Sequence, residues 1–429
     1  MKFRVERESL GEAVAWVARA LASRPVIPVL SGLLLQAGEH GLTLSCFDYE
    51  VSARIRVEAE VAEPGTALVP GRLLAEITRS LPPLPAEFSS DADMVSLTCG
   101  GAEFTLVSLP VQDYPALPEP PDPAGTVDGG VLATAAAQVV PSASRDDTLP
   151  MLTGVCLDID GEVMTLAATD RYRVAVRRVH WDPAVPGMRA AALVPARTLA
   201  DVARTMAAGV PVKVAFGTSD ADQAAAGEPR PAEGMISFEG GGRRLTARLI
   251  AGEFIRYQSR FPAEFGCRAE LAAGPFIEAV RRVSLVAERA SPVRLAFGHG
   301  EVVIEAQAEG RARAVESVAA DFAGDERVIS FNPHFLLDGL VAAAADPVRP
   351  SAGPDPAPQD PAAGPGTEPP AALPGRVRIE FTSPAKPALI TWASEQIGAG
   401  GAAGQDSADS QDTPAFRYLV VPLRVPART

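Results

Sequence analysis

The sequence has few of the residues on which metal sites and disulfide frameworks depend. Its 429 residues include four cysteines and four histidines, all widely separated. No two cysteines form a CxxC pair, and no Cys–His spacing fits zinc. Scattered free thiols suit a reducing compartment. The composition therefore predicts a cytoplasmic protein that binds no metal.

Long apolar runs and aromatic residues are also scarce. No run approaches the roughly 20 apolar residues that a membrane-spanning helix needs. The opening residues MKFRVERESL lack the apolar centre of a signal peptide. Aromatic residues make up 6% of the chain, so the core must be built mainly from Val, Leu, Ile and Ala. We expect no membrane partner.

Motifs of the common enzyme classes are missing. No histidine belongs to a Ser or Cys nucleophile motif, and the sequence contains no P-loop. Gly240-Gly241-Gly242 lacks the strand and helix setting of a nucleotide site, and a hairpin turn explains it better. Asp146-Asp147 fits a solvated loop. We expect a protein that is not an enzyme and has no cofactor; bound metal or nucleotide would argue otherwise.

Length and charge constrain what remains. A chain of 429 residues is too long for one ordinary core and predicts two to four domains. Its formal net charge is −14, which taken over the whole chain argues against a nucleic-acid partner. Lysine is nearly absent, so almost every positive charge is an arginine.

Three segments recur in the same order, which indicates an internal repeat. Helical spacing of apolar residues marks Leu10–Leu21, Leu132–Val140 and Phe276–Val286. Alternating, strand-like segments start at Leu44, at Leu166 (122 residues later) and at Ile304. VPGRLLAEITR from Val69, VPARTLADVAR from Val194 and FNPHFLLDGL from Phe331 each place a proline before a Leu-rich helical stripe. Each repeat is predicted to be α+β, with two helices packed on one face of an antiparallel sheet.

Segments of low complexity separate or interrupt the repeats. Linkers are predicted at Pro118–Thr126 and near Pro262–Arg268. Inserts rich in Pro, Ala, Gly and Asp occupy 218–234, 346–375 and 398–415. They hold too few apolar residues to be buried, so we expect disordered loops.

The repeated motifs together resemble the bacterial DNA sliding clamp, the beta subunit of DNA polymerase III. SRPVIPVLSGLLLQ at 23–36, FTLVSLPVQDYP at 104–115, LTGVCLDI at 152–159, LAATDRYRVAV at 166–176 and YLVVPLR at 418–424 carry the resemblance, with the proline-helix motifs. It covers nearly the whole chain outside the inserts.

This resemblance implies three clamp domains, at 1–121, 127–262 and 268–429. It implies a head-to-tail dimeric ring of six similar domains, with antiparallel sheets outside and two helices per domain inside. Duplex DNA would pass through the hole. A clamp loader would load the ring, which would tether the polymerase III alpha subunit and other polymerases.

A ring needs little affinity for DNA, so an acidic clamp can have a mildly basic hole. Tight phosphate contacts would only add salt-dependent drag. The resemblance and the predicted lining helices give as candidate DNA-binding residues Arg24, Arg72, Arg79, Arg145, Arg197, Arg204, Arg281 and Arg282. Arg19 and Arg289 belong to the same segments.

The resemblance also implies an apolar cleft for partner peptides of the form Gln-Leu-x-Leu-Phe. Aliphatic and aromatic walls suit Leu and Phe anchors. Its walls would comprise Leu152, Thr169, Arg171, Tyr172, Arg173, Val174, Leu419, Val421, Pro422 and Leu423. Leu152 and Val174 could instead be core residues.

Two residues near the cleft depart from the family pattern. Ile255 replaces a usual proline, and Arg260 replaces a smaller aliphatic residue. The chain also extends beyond the last strand with VPART at 425–429. These departures allow a second hypothesis, a divergent clamp whose cleft is retuned for a specialised or inhibitor-resistant role.

The dimer contact implied by the resemblance joins Phe104 and Leu106 of one subunit to Leu285 and Val286 of another. Apolar anchors within a polar rim are typical of a stable interface. A clamp-shaped scaffold that no longer travels on DNA would have lost these anchors or the lining arginines, and both sets are present.

Overall fold

The structure, a computed structural model, describes residues 1–22, 24–91, 93–206, 209–218, 230–288, 291–308, 311–345, 375–393 and 415–423. These residues contain six α-helices, two in each repeat. The inserts at 346–375 and 398–415 lie outside the described residues except at Gly375 and Ala415, as do Arg289 and 425–429.

The first repeat has nine strands and two helices. Its strands are β1 (Lys2–Val5), β2 (Gly32–Gly38), β3 (Gly41–Phe47), β4 (Val51–Val57), β5 (Glu60–Glu63), β6 (Gly65–Pro70), β7 (Ala86–Ser90), β8 (Met94–Cys99) and β9 (Ala102–Val107). Its helices are α1 (Arg7–Val17) and α2 (Gly71–Ser80). One sheet has the order β5-β1-β7-β8-β9.

The second repeat has the same order of elements. Its strands are β10 (Pro123–Asp128), β11 (Gly154–Asp160), β12 (Val163–Thr169), β13 (Arg173–His180), β14 (Asp182–Pro183), β15 (Arg189–Pro195), β16 (Pro211–Thr218), β17 (Arg230–Gly240) and β18 (Arg243–Arg248). Its helices are α3 (Gly129–Val139) and α4 (Ala196–Thr205).

The third repeat follows the pattern again. Its strands are β19 (Cys267–Ala272), β20 (Val293–Phe297), β21 (Glu301–Ala308), β22 (Ala312–Ala323), β23 (Arg327–Phe331), β24 (Arg376–Phe381), β25 (Ala388–Ala393) and β26 (Phe416–Val420). Its helices are α5 (Ala273–Ser284) and α6 (Pro333–Ala344).

The predicted helices lie where the sequence placed them, with bounds shifted by a few residues. Each first helix begins about three residues before its predicted start. Each helix buries an apolar stripe, as α1 does with Leu10, Val14 and Val17. The α+β repeat with helices packed on sheets is therefore confirmed.

One local prediction is confirmed, and two others are wrong in part. Gly241 and Gly242 have φ values of 58° and 74° and join β17 to β18, which confirms the hairpin turn. In contrast, β10 begins at Pro123, inside a predicted linker, because it pairs with β16. Residues 230–234 of the first predicted insert likewise belong to β17, since pairing with β15 and β16 overrides their composition.

The chain divides into two compact units. The first comprises Met1–Ala133, Gly154–Met164 and His180–Glu253, and the second comprises Thr134–Thr153, Thr165–Val179 and Phe254–Thr429. In the first unit β4 pairs with β18, and in the second β13 pairs with β26. Each of these pairings joins one repeat to the next. All the candidate cleft residues lie within the second unit.

Candidate functional site

A tight turn before β13 positions the side chains of the candidate cleft. Asp170 Oδ1 accepts hydrogen bonds from the backbone N–H groups of Tyr172 and Arg173, at 3.0 and 3.1 Å. Arg171 has a φ of 79°, a left-handed conformation that is uncommon outside glycine. Thr169 Oγ1 donates to the carbonyl of Arg173 at 2.6 Å and so closes the turn.

Arg173 is buried and bonded on all sides. Its Nε donates to Asp170 Oδ2 at 2.9 Å, and its Nη1 donates to Asp338 Oδ2 at 2.5 Å. Its Nη2 donates to the carbonyl of Pro141, also at 2.5 Å. The ring of Phe335 lies 4.4 Å from the guanidinium carbon. Arg173 therefore connects the turn before β13, the end of the second repeat's first helical segment, and α6.

Tyr418 completes this network. Its hydroxyl accepts a hydrogen bond from Arg173 Nη1 at 3.3 Å and donates to the carbonyl of Phe335 at 2.7 Å. Burial raises the pKa of Tyr418, so the hydroxyl stays protonated. Burial alone would lower the pKa of Arg173, but Tyr418, Asp338 and Asp170 raise it overall. The site consequently holds a permanent, fully compensated cation.

The candidate cleft residues differ sharply in exposure. Five candidate residues are less than 10% exposed: Leu152, Thr169, Arg173, Val174 and Leu419. Pro422 is also buried. Tyr172, Val421 and Leu423 are 52%, 38% and 37% exposed. A ligand can therefore touch the second set, whereas Leu152 and Val174 serve mainly as core.

The exposed set is held by backbone contacts. The N–H of Val421 donates to the carbonyl of Tyr172 at 2.8 Å, and the N–H of Leu423 donates to that of Ser330 at 2.7 Å. The ring of Tyr172 stacks against Phe335 at 6.1 Å. Arg171, the residue before Tyr172, is also exposed. Together these contacts fix an apolar surface within a polar surround.

The two departures from the family pattern lie in the same unit. Ile255 is half-buried. Arg260 is exposed at the end of a short 3-10 turn, Gln258–Arg260. A long cationic side chain in this position can turn its guanidinium to water while its methylenes cover apolar surface.

The candidate DNA-binding arginines are all exposed, but not all carry a free charge. Ion pairs hold three of them: Arg204 with Asp201, Arg281 with Glu278 and Arg282 with Glu316. The other five have no carboxylate partner among the described residues: Arg24, Arg72, Arg79, Arg145 and Arg197. Positive charge available to a phosphate is thus concentrated in the second set.

The candidate dimer residues require one correction. Leu285 is 84% exposed, and Val286 and Phe104 are half-buried. Leu106, in contrast, is 3% exposed. Leu106 lies on the same face of β9 as Phe104, but its side chain is covered by its own subunit, so it is not an accessible anchor.

Several important partners of Arg173 were missed by sequence reasoning. They are Asp170, Phe335, Asp338 and Tyr418. Asp170 could have been found, since Asp-x-x-Arg beside a turn is a local pattern. The other three are 162 or more residues away from Arg173 along the chain and only the fold brings them together.

The described part of the chain contains no group of three or more His, Cys, Asp and Glu side chains that could hold a metal ion. None of its helices is long and apolar enough to cross a membrane.

Comparison with known proteins agrees with this geometry. The sequence matches the DNA polymerase III beta subunit family in its N-terminal domain at 1–118, its central domain at 126–255 and its C-terminal domain at 258–351. The beta sliding clamp of Streptomyces coelicolor is 47% identical over 99% of this chain and 100% of that protein. A beta sliding clamp homolog, GriR, of Streptomyces muensis is 44% identical over 99% of both.

Solved structures show the same fold. A sliding clamp from Pseudomonas aeruginosa, crystallised with griselimycin, superposes with a TM-score of 0.78 at 24% identity, covering 99% of this chain and 100% of that one. The family binds DNA and polymerases and has no enzymatic activity of its own. The chain belongs to the beta sliding clamp family, the processivity factors of DNA polymerase III.

Proposed function

We propose that two copies of the chain pair head to tail, β9 of each against β22 of the other, to form a closed ring around duplex DNA. The observation that carries this proposal is that one chain contains the same junction twice, β4 with β18 and β13 with β26. Among the described strands, the outer edges of β9 and of residues 312–319 in β22 have no partner. A third junction of the same kind would pair both edges.

Repeat equivalence fixes the register of that third junction. The backbone N–H groups of Leu109, Ile250 and Leu423 donate to corresponding carbonyls of the three repeats. Five residues before each of them are Phe104, Leu245 and Tyr418. Leu245 lies opposite Ala53, and Tyr418 lies opposite Ala175.

The partner of Phe104 follows from the strand motif. Leu44 and Ile304 hold the same position in that motif; Leu44 lies opposite Ile55, and Ile304 lies opposite Glu316. Two residues before Ile55 and Glu316 are Ala53 and Ala314. Ala314 of one copy should therefore lie opposite Phe104 of the other.

Disulfide trapping tests this register. Cross-strand neighbours have Cα atoms about 4.5–5.5 Å apart, within the range of a disulfide. We expect the double variant Phe104→Cys/Ala314→Cys to form a covalent dimer on mild oxidation. The four natural cysteines are buried and should not contribute.

The matched control moves one cysteine along the same face of β22. Phe104→Cys/Val318→Cys places the thiols four residues out of register, so it should remain a monomer on a non-reducing gel. Equal trapping in both variants, or a monomer by light scattering of the unmodified chain, would contradict the proposed ring.

We infer that the three domains, at 1–121, 127–262 and 268–429, direct their helices toward the hole and their sheets outward. The free arginines would then face phosphates while the net charge of −14 lies mostly elsewhere. Such contacts are loose, which permits sliding. A clamp loader would place the ring on DNA in the cytoplasm, beside the chromosome.

We infer that Tyr172, Val421, Leu423 and their buried neighbours bind linear peptides of the polymerase III alpha subunit and of other polymerases. Their exposure combined with an apolar floor supports this role. A labelled Gln-Leu-Asp-Leu-Phe peptide should show saturable fluorescence anisotropy. Leu423→Ala should weaken binding by roughly 2 kcal/mol, as loss of a buried anchor does.

The retuned cleft remains a second candidate because of Ile255 and Arg260. If the peptide binds ordinarily and Arg260→Leu changes nothing, both are tolerated variations. If the dimeric protein fails to bind and Arg260→Leu with Ile255→Pro restores binding, the cleft is retuned.

A further inference from the structure

The first unit contains an open cavity at the position that Arg173 fills in the second. The cavity has a volume of about 110 Å³ and lies between α1, α4 and the start of β4. Its lining includes Trp16, Arg19, Asp48, Val51, Asp201 and Leu245. A cavity of about 150 Å³ can hold a benzene ring, so this one is of a size for a small planar group.

The turns beside the two positions are the same. Asp48 Oδ1 accepts hydrogen bonds from the N–H groups of Glu50 and Val51, at 3.1 and 2.7 Å, as Asp170 does from Tyr172 and Arg173. Tyr49 has a φ of 73°, against 79° for Arg171. An offset of 122 residues relates each pair, so Val51 stands where the second repeat has Arg173.

The oxygen atoms that hold the Arg173 guanidinium have counterparts around the cavity. Asp48 corresponds to Asp170, and the same offset relates the carbonyl of Arg19 to that of Pro141. Asp201 and Asp338 are each the sixth residue of their helix, α4 and α6.

The remaining walls differ in a consistent way. Leu245 replaces Tyr418 at the same register, and Trp16 lies where the second repeat has Gln138. The first repeat thus keeps both carboxylates and adds an indole, whose face attracts cations. The cation itself is replaced by valine, and the guanidinium of Arg243 lies 5.9 Å from the centroid of the Trp16 ring.

The retained carboxylates still have free capacity. Asp201 Oδ1 accepts from Arg204, and the structure records no described partner for its Oδ2. Asp48 Oδ1 caps the turn, and Oδ2, the atom whose counterpart in Asp170 bonds Arg173, likewise has no described partner.

We propose that this cavity binds the guanidinium group of an arginine in a partner peptide, between Asp48, Asp201 and the indole of Trp16. Arg19 and Arg197 lie exposed at its rim and would repel an isolated cation. The peptide must therefore carry a carboxylate next to its arginine, which pairs with the rim. Charge complementarity specifies an Arg-Glu or Arg-Asp sequence. The proposal goes beyond the clamp function and requires neither ring closure nor DNA.

The test uses the full-length chain and the blocked dipeptide acetyl-Arg-Glu-amide, followed by ligand-observed NMR at low ionic strength, where charges are least screened. Saturable binding is expected, with acetyl-Gln-Glu-amide binding at least tenfold more weakly. Absence of binding by the arginine dipeptide, or equal binding of both, overturns the proposal.

Val51→Arg supplies the missing guanidinium from within. It should abolish dipeptide binding and melt at a higher temperature than Val51→Met, which fills similar volume without charge. If Val51→Arg binds the dipeptide as the unmodified chain does, the ligand lies elsewhere and the proposal fails.

Asp201→Asn provides a second test of the proposal in case Val51→Arg does not fold. It removes the charge of a partly exposed carboxylate and should weaken binding at least fivefold. Glu278→Gln is its matched control, because Glu278 pairs with Arg281 at the same helical spacing as Asp201 with Arg204. Unchanged binding in Asp201→Asn, or equal loss in the control, overturns the proposal.

Discussion

Arg173 shows, at the scale of one residue, how a buried charge becomes part of a core. It is 8% exposed, and its donors meet two carboxylates and a backbone carbonyl. Desolvating a cation is costly, and only such complete pairing offsets the cost. Removing it would leave Asp170 and Asp338 without their partner.

We expect Arg173→Met to lower the free energy of unfolding by about 3–5 kcal/mol, the usual effect of breaking a buried ion pair. Urea denaturation followed by circular dichroism measures it. Arg204→Met is the control: that pair is exposed, so its change should stay within about 0.5 kcal/mol. A similar, small change in both variants would show that burial does not strengthen the Arg173 contacts.

The buried thiols give a prediction of pH dependence. Burial raises the pKa of Cys46 and of Cys156 to about 12. Unfolded, these thiols ionise near pH 8.5, so their contribution to stability is complete below that pH. It is lost as pH rises toward 12, because only the unfolded chain ionises in that window.

Thiol labelling measures the same shift. At pH 8 the folded chain should react slowly with a thiol reagent, whereas the urea-unfolded chain should release four equivalents at once. Rapid labelling of Cys46 or Cys156 in the folded chain would contradict their burial.

Among the elements, the second helices of the three repeats differ in how their N-termini are capped. Pro70 and Pro195 occupy the N-cap positions of α2 and α4, and neither helix has a side-chain cap. α6 has one: the Asn332 side chain accepts from the N–H groups of His334 and Phe335. The start of α6 therefore depends on the single side chain of Asn332.

Asn332→Ala should destabilise the chain by about 1 kcal/mol, since two backbone donors lose their acceptor. Thermal or urea unfolding measures the change. Asn332→Asp keeps an acceptor at the cap and should remain within a few tenths of a kcal/mol of the unmodified protein. Equal losses in both variants would indicate that the amide, and not the cap, matters.

At the scale of the whole molecule, the proposed ring predicts topological binding. Once loaded on a nicked circular plasmid, the protein should remain bound through gel filtration at salt concentrations that abolish phosphate contacts. Cutting the plasmid once should release it, because the ring slides off the end. Release from the intact circle at the same rate would mean that the chain does not encircle DNA.

The free arginines should affect loading and sliding more than retention. Arg24→Ala with Arg72→Ala removes two unpaired charges and should reduce binding to short linear DNA at low salt. Arg281→Ala with Arg282→Ala is the matched control, since both arginines are already ion-paired. The control should lose less affinity.

The sequence determined the repeat, the class of fold and the family. Periodicity of Leu10–Leu21 and alternation after Leu44 and Leu166 are local properties, which a single chain displays directly. The motif LAATDRYRVAV at 166–176 was visible for the same reason, although the pairing of Asp170 with Arg173 inside it was missed. Gly241 and Gly242 predicted a hairpin turn because such a turn needs a left-handed backbone, which glycine adopts readily.

Tertiary structure alone decided which of these residues are available. Leu106 is as apolar as Leu285, yet one is 3% and the other 84% exposed, because Leu106 lies on a covered face of β9 whereas Leu285 directly follows the end of α5. Arg204 and Arg197 lie on one helix, yet of the two only Arg204 has a carboxylate partner among the residues that the structure describes. Arg173 meets two carboxylates, and Val51 leaves a cavity between two others. Both arrangements depend on contacts between distant segments, which no local pattern encodes.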